Sequence, residues 1–144
     1  MPFSGDSSLP IQITENMNTL LWILQGILTI VMLFPGLMKL TNSNAELIKK
    51  GNGNMDWAED VSTTNMKLIG LVEVLAAFGL ILPVLLDILP ILTPIAAIGV
   101  VLTMFGAIAL HIKRSDEPKA IIINFAIQLI ALFVAYGRFD LIQA

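Results

Sequence analysis

The stretch Asn65 to Leu86, NMKLIGLVEVLAAFGLILPVLL, is long enough to cross a bilayer and carries one carboxylate, Glu73, in its interior. At about 1.5 Å of rise per residue, about 20 residues of helix cover the roughly 30 Å hydrocarbon core. A charge at that depth is costly, so Glu73 calls for a partner or a proton.

The whole chain fits the same solvent. Its 144 residues are 56% hydrophobic and 13% charged, with a mean hydropathy of +0.85, against about 25% charged residues in soluble domains. The formal charge of -3 is too small to imply an acidic or basic partner, and eight Lys plus Arg make no nucleic-acid patch. Cysteine is absent, which excludes disulfides, thiol relays and thiolate metal sites. With a single histidine no metal site is expected, and any redox role would need a borrowed cofactor of unknown kind.

Towards the C-terminus the apolar run continues to Ile112, twice what one crossing requires, so it must fold back. Pro83, Asp87 and Pro90 place the turn, and Pro94 then falls in the first turn of a third span, about 91–112. That span carries Gly99, Thr103, Ala107 and His111 at steps of four, a stripe expected to face the core through close backbone approach. The charged turn KRSDEPK, Lys113 to Lys119, is read as solvated, as is Asp87. Asp116 or Glu117 can cap a fourth span, about 119–136, with Pro118 at its first position. Asn124, Gln128, Ala131 and Ala135 share one stripe of that span, and Tyr136, Arg138 and Phe139 mark its exit.

Towards the N-terminus lies one polar loop, 41–64. Ser43 or Asn44 can cap a short helix, AELIKK, that stops at Gly51. Trp57 is read as a headgroup anchor of a surface-lying spacer, with a lid over a binding site as the alternative. Before the loop, a first span of about 18–40 places Gln25, Thr29, Met32, Gly36 and Lys39 on one stripe, with a kink expected at Pro35. Met1 to Asn16 is polar and lacks the basic flank of a secretory signal, so the first span is expected to stay in the mature protein.

The expected fold is an all-α bundle of four transmembrane helices, a single membrane domain over 1–144 in the cell membrane. The loops after the first and third spans hold Lys39, Lys49, Lys50, Lys67, Lys113, Arg114 and Lys119, whereas the other face holds only Arg138. By the positive-inside rule both termini then lie outside the cytoplasm.

Depth decides which polar residues can meet. Counted from the face of the charged loops, Glu73 and Gln128 both lie about 12 to 14 Å in and Asn124 about 7 Å in. Lys39 and His111 sit at the mouth, and Gln25 enters from the opposite face. Lys67 is about 120° around the helix from Glu73, so the partner must come from another helix. Lys39 is favoured by charge and Gln128 by depth, while His111 could join through a water. These six, Glu73, Lys39, Gln128, Asn124, His111 and Gln25, are the candidates for a polar pocket. Helix glue is the competing role for Asn124 and Gln128, and a solvated helix end for His111.

The segments WILQGILTIVMLFPGLMKL, MKLIGLVEVLAAFGLILP, LTPIAAIGVVLTMFGAIALHIKR and AIIINFAIQLIALFVAYGRF, in that order, resemble the DoxX-like family over about residues 21 to 139. The resemblance rests on GLMKL (Gly36, Lys39), GLVEVLAAFGLILP (Gly70, Glu73, Gly79, Pro83), LTP (Pro94), His111, Asn124 and the closing YGR. It implies a four-helix integral membrane protein with Glu73 and Lys39 in the polar core. Relatives are linked to quinone-reducing oxidoreductase complexes, redox-stress assemblies and receptor assembly.

Two functions are therefore expected to compete. In one, a pocket centred on Glu73 binds a quinone-like or lipid-like molecule within a redox membrane complex, with Lys39 as counter-charge. In the other, the protein is a non-enzymatic assembly or interaction factor, and the cluster only specifies helix packing. Homo-oligomerisation is compatible with both.

Overall fold

The computed structural model describes residues 8–143, with side chains described from 14 to 142; the polar segment 1–7 read above lies outside the described residues. Helices α1 (Ser8–Thr41), α2 (Asn44–Gly51), α3 (Thr63–Leu86), α4 (Leu92–Arg114), α5 (Pro118–Gly137) and α6 (Asp140–Gln143) follow one another, with a 3-10 helix at Asp56–Asp60. Among the described residues there is no strand. The protein is an all-α membrane protein: Thr14–Thr41, α3, α4 and α5 are each long and apolar enough to cross a bilayer.

Lipid is the solvent that the surface requires. Ile30, Phe34, Leu75, Leu102, Phe105 and Ile122 are exposed, an apolar coat that water would penalise and acyl chains accept. The core is narrow by comparison, formed by Leu28, Met32, Ala77, Leu80, Ala97, Val100, Met104, Ala131 and Val134. The crossing helices pack mainly as sequence neighbours, α1 on α3, α3 on α4 and α4 on α5, and a slighter α1–α5 contact closes the ring.

The backbones of α1 and α3 approach closely. A Cβ added to Gly70 would meet the Gly36 carbonyl oxygen and the Lys39 Cβ at 2.8 Å each, so only hydrogen fits where these backbones touch. Gly79 is similarly pressed by Ala96. The Gly99 stripe, by contrast, is not a close-packing face. A Cβ on Gly99 would meet nothing within 4 Å, and α4 turns Ala97, Val100 and Met104 to the core instead. Small residues are tolerated next to lipid as well as next to helices, which is why the spacing misleads here.

Where α3 meets α4, α3 runs on through Pro83 to Leu86, and Asp87 ends it in the left-handed region at φ 54°. Side chains cap the starts of α2 and α3 and the end of α1. Ser43 and Glu46 form a reciprocal capping box at α2, and the left-handed residue that ends α2 is Asn52, not Gly51. Ser62 caps α3. Lys67 Nζ donates to the carbonyl oxygens of Lys39, Leu40 and Asn42 at 2.9, 2.9 and 2.6 Å, satisfying the end of α1 that helix geometry leaves open.

Candidate functional site

About four turns after Gln25, the α1 stripe brings Lys39 to the level of the Gly36–Gly70 contact, and α3 presents Glu73 one turn beyond Gly70 on the same face. The glycines let the two side chains meet directly. Lys39 Nζ lies 2.6 Å from both carboxylate oxygens of Glu73, and each residue is only 5% exposed. Lysine's long stem closes the gap between a residue at the mouth and one deeper in the bundle. Such a pair is held by strong charge-assisted hydrogen bonds, and loss of one member would leave the charge of the other buried without a partner.

The polar loop roofs this pair. Leu47, Ala58 and Met66 form a small separate core, flanked by Ile48, Met55, Trp57 and Val61, that seats α2 and the 3-10 helix on the end of α3. The Trp57 ring centroid is 5.7 Å from Lys39 Nζ, within the range where a ring face attracts a cation. The same ring meets His111 edge to face at 6.2 Å. Trp57 is thus half-buried against the bundle, between Lys39 and His111.

His111 is not a solvated helix end either. It is 7% exposed, because Trp57 covers it and its Nδ1 lies 2.7 Å from Asp116 Oδ2; with the proton on that nitrogen, the imidazole donates to the carboxylate. Arg114 Nε donates to the same carboxylate at 3.2 Å, its Nη1 and Nη2 reach Glu59 at 3.2 Å, and Nη1 also pairs with Asp60. The turn read as solvated is therefore a latch between α4 and the roof. Hydrogen bonding from His111, with Arg114 adding its charge, holds the Asp116 carboxyl below the usual carboxylate value. Asp116 is consequently engaged, and Glu117 takes the N-cap position of α5 without a side-chain cap bond.

The other candidates lie elsewhere. Gln128 Nε2 donates to the Val101 carbonyl on α4 at 3.3 Å, tying α5 to α4. Asn124 is half-buried on α5. Gln25 is fully buried, its Nε2 donating to the Leu80 carbonyl on α3 while its Oε1 accepts from Arg138 Nε at 2.8 Å. Gln25 thus belongs to a second polar cluster at the opposite end, with Arg138, Asn18 and Trp22. The Arg114–Asp116 latch and the Arg138 cluster were not anticipated as parts of any site, and Trp57 entered only through the lid alternative for its loop.

One open groove of about 370 Å³ is lined by Leu40, Thr63, Thr64, Lys67, Leu68 and Leu71, beside the Lys39–Glu73 pair and not lined by Glu73. Among the described residues no group of three or more His, Cys, Asp or Glu side chains is placed to hold a metal ion. Among curated proteins and among solved structures, no match to the chain is found. A family model described as the DoxX-like family matches residues 23–134, a span that contains all four crossing helices in whole or in large part.

Proposed function

Starting from the fact that the chain belongs to the DoxX-like family, we propose that this integral membrane protein binds the polar head of a quinone-like or lipid-like molecule at Lys39 and Glu73, beneath the Trp57 roof. The observation that carries the proposal is the buried Lys39–Glu73 pair under an aromatic lid held by surface ion pairs. Lifting the roof would uncover a donor and an acceptor side by side. Lys39 then donates to a carbonyl or other oxygen of the head, Glu73 accepts from a hydroxyl, and the tail lies along apolar helix faces. This chain would supply binding and orientation, and electrons would come from a partner within a redox membrane complex. The positive-inside bias supports a topology with both termini outside the cytoplasm, which a reporter fused after Ala144 tests.

A second role is favoured by one specific observation, the Gly36–Gly70 contact directly beside the pair. On this alternative Lys39 and Glu73 set the crossing of α1 on α3, and the protein serves as an assembly or interaction module. The two separate in one experiment. Replacing both Lys39→Met and Glu73→Leu exchanges a buried ion pair for apolar side chains, a change that membrane and soluble interiors often tolerate. Mass spectrometry of small molecules retained after gentle purification should find a quinone or lipid on the parent and at least tenfold less on the double variant. Equal retention by a folded double variant refutes the pocket and leaves the packing role.

A further inference from the structure

At the end of the bundle away from the roof, Arg138 follows directly on α5 and folds back into the helices, only 9% exposed. Its Nε donates to Gln25 Oε1 at 2.8 Å, its Nη1 to Asn18 Oδ1 at 2.7 Å, and its guanidinium lies 5.4 Å from the centroid of the Trp22 ring. All three partners are neutral. Nη2 is buried and meets no acceptor among the described residues. Among the described residues no carboxylate forms an ion pair with Arg138, and the nearby Asp140 is exposed. A guanidinium keeps its charge at any physiological pH, so among the described residues this buried cation has dipoles in contact with it and only the exposed Asp140 as a nearby opposite charge. Burial of that kind is rare unless an anion completes the site.

The setting indicates which anion. Tyr136 and Phe139 are exposed on either side of Arg138 and Trp22 is half-buried beside it, an aromatic belt of the kind that sits at headgroup depth. Arginine's planar fork matches a phosphate with two parallel donors. Asn18, whose Oδ1 accepts from Nη1, is an exposed residue of α1.

We propose that Arg138, with Asn18 and Trp22, forms a second site that takes a phosphate oxyanion at the interface opposite the roof. Phosphate faces both leaflets, so the site does not depend on which way the protein is oriented, nor on what binds at Glu73. The oxyanion replaces Asn18 on Nη1, accepts from Nη2 and neutralises the guanidinium, while Gln25 keeps Nε. A phospholipid headgroup and free phosphate share this chemistry.

The test uses the full chain in a maltoside detergent, with Trp57→Phe so that Trp22 is the single indole. Dihexanoyl phosphatidylglycerol, inorganic phosphate and phosphate-free dihexanoylglycerol are titrated against Trp22 fluorescence. A saturable change with the phospholipid alone identifies a headgroup, and one with inorganic phosphate as well identifies the free oxyanion as sufficient. Arg138→Gln should abolish the response. Should that variant not fold, Asn18→Asp decides, since it keeps the acceptor on Nη1 and supplies a built-in negative charge; it should raise the apparent Kd at least tenfold. No saturable response to either phosphate compound, an equal response to dihexanoylglycerol, or an unchanged Kd in Asn18→Asp overturns the proposal.

Discussion

The two ends of the bundle each bury one cation, and they balance it differently. Under the roof, Lys39 faces a full carboxylate, Glu73, 2.6 Å away on the adjacent helix. At the other end, Arg138 is surrounded by two amide oxygens and a ring face. A charge balanced by a charge is stable only as a pair, whereas a charge balanced by dipoles leaves partners that survive its removal. The first arrangement locks two helices together, and the second leaves room for a counter-ion from outside.

This contrast can be broken most directly by removing one member at each end. Lys39→Met leaves a carboxylate alone in the membrane and should cost about 3–5 kcal/mol of stability, read by reversible unfolding in mixed micelles; adding Glu73→Leu should restore most of it. Arg138→Met strips a donor from neutral acceptors, of which only Gln25 is buried, and should cost about 1–3 kcal/mol. Comparable losses at both ends would mean that the carboxylate is not what distinguishes them.

The glycine contact sharpens the same comparison. Gly70→Ala forces its methyl against the Gly36 carbonyl and the Lys39 stem, prising α1 from α3 at a cost of about 1–3 kcal/mol in thermal unfolding. Gly26→Ala on the same α1 helix meets open space and should be neutral or stabilise by up to about 1 kcal/mol through helix propensity.

The smallest effect concerns the roof. The folded Asp116 carboxyl titrates below its ordinary 3.8, so its contribution is fully present above that value and is lost as pH falls through the depressed folded value. The latch should hold at neutral pH and loosen below about pH 4, seen as reduced protection of the amides of residues 56–60 relative to their intrinsic exchange at each pH. Asp116→Asn should loosen it at every pH and flatten most of the acid dependence. A residual slope is expected from Glu46, whose carboxyl is likewise held down by the Ser43 backbone and hydroxyl.

Apolar run length and proline placement were enough to read four crossings. The helices cover Thr14–Thr41, Thr63–Leu86, Leu92–Arg114 and Pro118–Gly137 against spans read as 18–40, 65–86, 91–112 and 119–136. Except at the end of α3 and the start of α4, the helices overrun the spans because a helix need not stop where lipid does; α1 continues past Glu15 and Asn16, polar residues that a helix accepts in water. Side-chain meetings were less legible. Counting depth along α3 and α5 sets Glu73 level with Gln128, but α5 packs chiefly on α4, so Gln128 finds Val101 there. Gln25 and Arg138 are 113 residues apart, and no local spacing links them. His111 could not be told from a solvated end because its cover, Trp57, comes from a loop whose docking depends on three small apolar contacts and a few surface charges.

The order of synthesis gives the Lys39–Glu73 pair a last consequence. Lysine leaves the ribosome 34 residues ahead of its glutamate, so at about 5–20 residues per second the nascent first helix carries an unanswered ammonium for about 2 to 7 s. It cannot settle alone in oil during that interval without penalty. The first two crossings should therefore be released into the bilayer as a joined hairpin, and a chain truncated before residue 73 should stall at the insertion machinery.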